Sequence, residues 1–248
     1  MKTQTNIVKT LTASIAIVIA SSSVYADSND EVSIDQEGDL NSAFAVQTGD
    51  RNFGDIDQNG DQNTAGIMQA GEDNVILLEQ NGDNNVAISS QAGADNLTET
   101  TQNGDFNQAV TAQVGEDNYT LVTQDGSFNS VNSLQSGTEN TLDIDQDGDG
   151  NYADAVQLGE RQDADINQQG DGNGSITFQE GEANYTELNQ LGDNNFSFAS
   201  QHGTENLALI DQTGDGNMTG ICQFGEDHVA DVNQTGDGNM ASVIQGSF

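Results

Sequence analysis

The chain has 248 residues, with 4 Lys and Arg against 41 Asp and Glu, and a formal net charge of −37. This charge excludes direct binding to nucleic acid, which needs cationic side chains for the phosphates, and it disfavours docking on anionic lipid headgroups. An apolar fraction of 33%, together with the absence of Pro and Trp, indicates a regular structure with little conventional core.

Residues 1–26 have the pattern of a secretory signal peptide. Two lysines precede a mostly apolar run at residues 11–20, and Val24 and Ala26 place small residues at the −3 and −1 positions of a cleavage site. The run is too short for a membrane-spanning helix. We therefore expect a secreted chain that is cleaved after Ala26 and does not insert into the membrane. The lone Cys222 cannot form an internal disulfide, so no cystine stabilises this chain.

Residues 27–35 are predicted to be a short polar lead-in, and residues 36–248 a single repeat domain with a period of eleven. Gln recurs twenty times without insertion or deletion, at Gln36, Gln47, Gln58, Gln69, Gln80, Gln91, Gln102, Gln113, Gln124, Gln135, Gln146, Gln157, Gln168, Gln179, Gln190, Gln201, Gln212, Gln223, Gln234 and Gln245. Gly follows each of the first nineteen by two residues, at Gly38, Gly49, Gly60, Gly71, Gly82, Gly93, Gly104, Gly115, Gly126, Gly137, Gly148, Gly159, Gly170, Gly181, Gly192, Gly203, Gly214, Gly225 and Gly236. Asn follows by five residues in seventeen cases, at Asn41, Asn52, Asn63, Asn74, Asn85, Asn96, Asn107, Asn118, Asn129, Asn140, Asn151, Asn173, Asn184, Asn195, Asn206, Asn217 and Asn239. The two exceptions are Gln162 and His228, so the unit is Q-x-G-x-x-N-x5-Q.

An eleven-residue period is also typical of a right-handed helical supercoil. In that structure the nineteen Gly residues would lie inside helices, at a total cost of roughly 19 kcal/mol relative to Ala. The residues between them are rich in Thr, Val, Ile, Asn and Ser, which favour strands or turns. We therefore predict a strand of about seven residues and a turn of about four in each unit, with Gly supplying the positive φ of the turn.

Alternation within each unit predicts which side chains are buried. Residues 5, 7, 9 and 11 positions after a Gln share one face of the strand, because strand side chains alternate. Small or aliphatic residues such as Ala43 and Ile76 stand at the seventh position, and aliphatic residues such as Ile56 and Ile144 at the ninth. The inner face therefore consists of Asn, a small residue, an aliphatic residue and Gln. The intervening positions hold most of the Asp, Glu, Tyr and Phe and are predicted to face outwards.

A second period of 22 overlies the first. Turns alternate between Gly-Asp-x-Asn and forms such as Gly-Glu-Asp-Asn, while the ninth position alternates between large residues such as Leu78 and small ones such as Ser89. Large residues facing small ones allow two close sheets to interdigitate. The predicted fold is all-β, a parallel two-sheet β-solenoid of cross-β type with strand-turn-strand-turn rungs of 22 residues. Its nineteen strands would make about nine and a half rungs, roughly 45 Å long.

Stacked rungs align the Gln and Asn side chains in columns. Each amide can donate to its neighbour on one side and accept from the other, which satisfies polar groups that would otherwise be buried without partners. We predict that these columns form a structural amide ladder. Fifteen of the nineteen residues after the turn Gly are Asp or Glu, so like charges are stacked along the turn edges and acid pH is expected to favour assembly.

The repeat unit, with Gly-x-Gly-Asn in several turns, resembles the curlin repeat of curli, the bacterial amyloid fibres, from Gln36 to Gln245. The resemblance implies a major fibre subunit that is secreted unfolded through an outer-membrane pore, meets a nucleating curlin and grows into a homopolymer. Two features depart from the familiar subunits: this chain has more repeats, and residues 27–35 do not resemble the long N-terminal secretion segment of the familiar major subunit.

No catalytic, metal or cofactor site is predicted. The run Asp145–Asn151 begins like a Ca²⁺ loop, but its twelfth position is Val156 where such a loop requires Glu. His202 and His228 fall at predicted turn positions, with no Ser or Cys at a catalytic spacing. We therefore predict no enzyme activity.

The predicted function is a secreted structural subunit that self-assembles into extracellular amyloid fibres, or fimbriae, for biofilm matrix, adhesion and surface colonisation. Two alternatives stay open. One is a monomeric β-solenoid with an adhesive or ice-binding surface, although the outward Thr residues are scattered. The other is the minor, nucleating curlin subunit.

Overall fold

The computed structural model of the chain describes residues 21–25 and 29–246, which form twenty-one β-strands and no helix. The strands are β1 (Ser21–Tyr25), β2 (Glu31–Glu37), β3 (Ser42–Asp50), β4 (Phe53–Asn59), β5 (Thr64–Glu72), β6 (Val75–Asn81), β7 (Val86–Ala94), β8 (Leu97–Asn103), β9 (Gln108–Glu116), β10 (Tyr119–Asp125), β11 (Ser130–Thr138), β12 (Thr141–Asp147), β13 (Tyr152–Glu160), β14 (Asp163–Gln169), β15 (Gly174–Glu182), β16 (Tyr185–Leu191), β17 (Phe196–Thr204), β18 (Leu207–Thr213), β19 (Met218–Glu226), β20 (Val229–Thr235) and β21 (Met240–Gly246).

The strands alternate between two parallel sheets. Odd-numbered strands form an 11-stranded sheet and even-numbered strands a 10-stranded sheet, each in chain order. From β2 onwards, each strand pairs with the strand two places later, and paired residues are 22 positions apart, as for Gln113 with Gln135 and Gln124 with Gln146. The predicted all-β, two-sheet solenoid with 22-residue rungs is therefore confirmed.

A thin core lies between the sheets. The 10-stranded sheet contributes fully buried large residues such as Ile56, Ile144 and Ile210, whereas much of the 11-stranded sheet contributes small ones such as Ala155 and Ala199. This difference lets the two inner faces approach closely, because a large side chain on one sheet fills the space left by a small one on the other.

The apolar core is divided into two clusters. One extends from Ile34 to Ala87 and the other from Ala109 to Val232. Between them the inner faces carry the buried hydroxyl residues Ser89, Thr98, Thr100 and Thr111. A polar layer therefore separates two stretches of ordinary hydrophobic packing.

The solenoid begins one strand earlier than predicted. Residues 31–35, within the predicted lead-in, belong to β2, where Val32 and Ile34 pack against the first core cluster. Asp30 occupies the Asn position of the repeat, and its Oδ1 accepts hydrogen bonds from the backbone N (2.9 Å) and Nδ2 (3.0 Å) of Asn52. A carboxylate oxygen can replace an amide oxygen as acceptor, so Asp30 begins a further repeat unit that contains β2. The predicted count of nineteen strands is therefore too small. Strands β2–β21 make twenty, or ten rungs.

Strands in the two sheets differ in length, although the repeat is the same. From β3 to β19, strands of the 11-stranded sheet have nine residues and continue through the turn Gly, while those of the 10-stranded sheet have seven and end before it. The connections consequently contain two residues, as at 51–52, or four residues, as at 60–63.

The turn Gly is required both by the backbone and by the next rung. Gly115 has φ +127°, and a Cβ there would lie 1.9 Å from the carbonyl O of Gly137. A side chain would therefore be strained and would push the rungs apart. The last turn differs, because the one described atom within 4 Å of a Cβ on Gly236 is Nδ2 of Asn239, at 3.7 Å.

A short strand precedes the regular stack. β1 lies within the predicted signal peptide and pairs with β3, but its partners are 21 residues apart, one fewer than everywhere else. The rest of that predicted segment, residues 1–20 and Ala26, lies outside the described residues, and its cleavage remains a prediction. In the described part of the chain, no helix has the length and apolar character needed to cross a membrane.

Candidate assembly surfaces

The repeat Gln side chains lie on the inner face near the end of each strand. In every rung before the last, Nε2 of the Gln donates to Oε1 of the Gln one rung further on, at 2.6 Å from Gln47 to Gln69 and 2.8 Å from Gln113 to Gln135. Nε2 of Gln113 also donates to the carbonyl O of Leu97, on the facing sheet, at 3.0 Å. These bonds connect neighbouring rungs and also connect the two sheets.

Both Gln columns are continuous. In the 10-stranded sheet the amide bonds run from Gln36 to Gln234. In the 11-stranded sheet they run from Gln47 to Gln245. The two ends of a column are different, since Nε2 always donates towards the C-terminal end.

The repeat Asn residues stand just before each strand and join successive turns. Nδ2 of Asn118 donates to the carbonyl O of Gly137 (3.0 Å) and to Oδ1 of Asn96 (2.9 Å). Oδ1 of Asn118 accepts from the backbone N of Asn140 at 3.2 Å. Away from the ends of the stack, each Asn therefore hydrogen-bonds to the turns on both sides and keeps the turns in register.

The two departures from Asn behave differently. Oε1 of Gln162 accepts from the backbone N (3.2 Å) and Nδ2 (3.0 Å) of Asn184, but its buried Nε2 has no partner among the described residues. Nε2 of His228 lies 3.0 Å from the carbonyl O of Phe224, four residues earlier, the carbonyl position that several repeat Asn amides also reach. His202, predicted in a turn, lies in β17 instead.

The acidic residues at the turns have specific donors. In the four-residue connections the carboxylates stack, and Oδ1 of Asp61 accepts from the backbone N of Asp39 at 2.7 Å. In a two-residue connection, Arg51 contacts Oδ2 of Asp50 and Oδ2 of Asp73, each at 2.5 Å. The hydrogen bond from Arg51 lowers the pKa of Asp73. These contacts offset part of the repulsion between stacked carboxylates.

The outward side chains of β2 to β20 in the 10-stranded sheet form what we call the acidic face. Burial between neighbouring side chains raises the pKa of Asp143, Asp145, Asp163 and Asp165, and adjacent carboxylates raise these pKa values further. The pKa of Tyr185 rises to about 12, first through burial and then through Glu187. Among the residues described, no three His, Cys, Asp or Glu side chains are grouped to hold a metal ion.

The stacked 22-residue rungs define the chain as a β-solenoid repeat protein. The sequence profile of the curlin associated repeat matches residues 28–53, 49–79, 93–126, 137–170, 181–214 and 192–225. The chain therefore belongs to the curlin family, and its repeats and fold together support a curli-type structural subunit. No curated protein matches the chain.

Proposed function

We propose that the protein self-assembles end to end into extracellular amyloid fibres that contribute to biofilm matrix, adhesion and surface colonisation. The observation that carries this proposal is an unpaired buried amide. Gln47 is fully buried at the N-terminal end of its column, and its Oε1 has no hydrogen-bond partner among the described residues. At the other end of the same column, Nε2 of Gln245 donates to the carbonyl O of Val229, at 2.8 Å, and to no other acceptor in the described part of the chain. A second copy stacked in register would bring these two groups together.

The phase of the two ends supports this stacking. The regular stack opens with β2 in the 10-stranded sheet and closes with β21 in the 11-stranded sheet. Ten whole rungs therefore lie between them, and a following copy would place its β2 on β20 and its β3 on β21 without breaking the alternation. Exposed strand edges of this kind are templates for pairing with another chain.

The C-terminal rung also lacks the burial of the rungs before it. Ala241 and Val243 are only partly buried, whereas their equivalents one rung earlier, Thr219 and Ile221, are fully buried. Stacking a further copy would cover this apolar surface as well as the strand edges.

Export and nucleation complete the proposal. Cleavage after Ala26 would remove β1 and uncover the edge of β3, where β21 of another copy would pair. An outer-membrane pore for the unfolded chain and a nucleating curlin at the cell surface are the partners that this assembly requires. The regular, continuous columns suit a major fibre subunit.

The end-to-end contact is tested by the change Gly236→Ala. A Cβ on Gly214 would lie 2.4 Å from the carbonyl O of Gly236, and the same geometry places a Cβ on Gly236 against Gly38 of the next copy. We expect small amounts of the variant to terminate growth of wild-type fibres from seeds. The control is Gly238→Asn in the same turn, where φ is +68° and nothing lies within 4 Å of an added Cβ.

Fibre growth is followed by thioflavin fluorescence, and fibre structure by the meridional reflection at about 4.7–4.8 Å expected of cross-β stacking. Purified protein that stays monomeric under seeding would contradict the proposal and favour a monomeric surface-binding solenoid. Equal termination by both variants would show that Gly236 does not face another copy.

A further inference from the structure

The two outer faces of the solenoid differ sharply in charge. Each has three outward positions on each of ten strands, thirty in all, between the Asn and Gln positions of the repeat. The acidic face carries Asp or Glu at thirteen of them, whereas the corresponding face of β3 to β21, which we call the apolar face, carries only Asp154. We infer that the apolar face is a lateral interface at which two copies of this chain pair.

Large apolar side chains lie along the whole apolar face. Val46, Met68, Leu134 and Met218 are 41, 42, 38 and 46% exposed, although each is flanked by strands on both sides. The terminal strand β21 continues the row with Ile244, which is 69% exposed. Alternation of strand side chains leaves these residues no path into the core, so another surface must cover them to remove them from water.

Two glycines make the apolar face flatter. The ring of Phe44 lies over Gly66 in the next strand, where an added Cβ would be 2.2 Å from Cζ of Phe44. The ring of Phe196 lies in the same way over Gly174, with Cδ2 3.1 Å from an added Cβ. Rings lying along the sheet produce a low surface, which the sheet of a second copy can approach closely.

The size of the apolar face suits a stable interface. Ten strands span about 48 Å, and the five residues from the first to the last outward position span about 16 Å, so the face covers about 800 Å². The largest apolar patch on a typical monomer is about 300–600 Å². About 800 Å² per partner is the contribution to a standard stable protein–protein interface.

Charge decides which surfaces can meet. Pairing two acidic faces would oppose thirteen carboxylates on each copy, and pairing an acidic face with an apolar one would strip water from those carboxylates without supplying cations. Pairing two apolar faces brings together only Asp154 of each copy, which accepts a hydrogen bond from Tyr152 Oη at 3.2 Å. At the margin, Glu180 lies 3.0 Å from Nδ1 of His202. A second copy that presents its own apolar face is therefore the partner that fits.

The test replaces apolar residues by Thr, which keeps strand propensity. The face variant combines Val46→Thr, Met68→Thr, Leu134→Thr and Val156→Thr. The matched control combines Val75→Thr, Leu97→Thr, Leu121→Thr and Leu209→Thr on the acidic face. Mass per unit length of the fibres is measured by scanning transmission electron microscopy. We expect two chains per ten rungs in the wild type and the control, and a twofold lower value in the face variant.

This readout rests on the proposed fibre, so sedimentation velocity of the soluble folded protein accompanies it. If no fibre forms, the end-to-end proposal fails, but lateral pairing still predicts a dimer for the wild type and control and a monomer for the face variant. One chain per ten rungs in wild-type fibres overturns the inference. So does a mass that the face variant leaves unchanged, a result that would assign the apolar face to another occupant.

Discussion

At the scale of single residues, the stack is held by short polar side chains with several hydrogen bonds each. A buried amide that makes all its bonds stabilises a rung, and one that misses a bond has the cost of desolvation without compensation. Gln162 and Thr100 are two places where a buried polar atom has no hydrogen-bond partner within the described ranges. Removing the unpaired atom at either position should stabilise the fold, an effect that has no counterpart in a purely apolar core.

Replacing Gln162 by Asn should stabilise the solenoid. At the equivalent position one rung earlier, Nδ2 of Asn140 donates to the carbonyl O of Gly159 at 3.1 Å and to Oδ1 of Asn118 at 2.9 Å, whereas Nε2 of Gln162 has no partner among the described residues. We expect the free energy of unfolding to rise by about 1 kcal/mol or more in urea denaturation.

The reverse change one rung earlier, Asn140→Gln, is the matched control for Gln162→Asn. It should lower the free energy of unfolding, because the longer side chain displaces an amide that already makes its bonds. Stabilisation by both changes would indicate that side-chain length, rather than amide pairing, sets the stability at this column.

Replacing Thr100 by Val should also stabilise the fold. Thr100 lies between Leu78 and Val122 in its column, and its buried Oγ1 has no partner among the described residues. Val keeps the shape, removes the unpaired hydroxyl and joins the two core clusters. We expect an increase of about 1–2 kcal/mol in the free energy of unfolding.

Thr98→Val provides the comparison for Thr100→Val, since Thr98 lies on the same face of the same strand. Its Oγ1 lies 3.2 Å from Nε2 of Gln91 and 2.9 Å from Oε1 of Gln113, so this change removes two hydrogen bonds. A decrease in stability is expected. The same sign for both variants would contradict the distinction between paired and unpaired hydroxyls.

At the scale of the elements, each strand has an inner face that repeats and an outer face that differs between the sheets. The inner faces keep the rungs in register through amides and aliphatic residues, whereas the outer faces determine charge and contacts. Because every rung contacts only its neighbours, changes on an outer face act mainly on adjacent rungs. This dependence on adjacent rungs is clearest on the acidic face, where carboxylates of neighbouring strands lie side by side.

The acidic face makes stability depend on pH. Asp143 and Asp165 are paired neighbours, and burial and adjacent carboxylates raise both pKa values above the ordinary 3.8. The folded state therefore holds these protons more tightly than the unfolded state, so stability falls as pH rises from 3.8 through the folded pKa values. We expect Asp143→Asn with Asp165→Asn to raise the free energy of unfolding at neutral pH and to weaken its pH dependence.

The measurement is urea denaturation at pH values from about 4 to about 7, the range in which raised carboxyl pKa values act. Glu116→Gln with Glu205→Gln serves as control, since it removes the same charge at two exposed positions, the last residue of β9 and the connection after β17. If both double variants change the pH profile equally, net charge rather than burial of the aspartates accounts for the dependence.

At the scale of the whole molecule, a net charge of −37 opposes the approach of one chain to another. The strand edges and the Gln amides at the two ends of the stack favour stacking of copies. The approach of a chain to a fibre end is governed by the longer-range repulsion between their negative charges. This combination keeps the chain soluble until it meets a template and makes growth sensitive to ionic strength.

Seeded elongation should therefore become faster as salt is added. The screening length falls from about 30 Å at 10 mM to about 8 Å at 150 mM, which removes most repulsion between exposed charges on different copies. Elongation rates from preformed seeds, measured across this range at constant pH, are expected to rise. Rates that stay constant or fall would show that encounter with the fibre end is not limited by charge.

The sequence by itself determined the period, the identity of the inner and outer faces and the two-sheet solenoid. These are local properties: Gly recurs where the backbone needs a positive φ, and Gln and Asn recur where side chains stack, so regular spacing is enough to predict them. The curlin resemblance drawn from the same residues agrees with the family to which the chain belongs.

Only the tertiary structure showed that Asp30 takes an Asn position, that the strands of the two sheets differ in length, and that the core is divided at Thr100. It also placed the raised carboxyl pKa values on the acidic face and left Oε1 of Gln47 without a partner among the described residues. Each of these depends on what lies beside a residue one rung away or across the core. Burial and hydrogen-bond satisfaction are set by such neighbours, which a repeat pattern read along the chain does not specify.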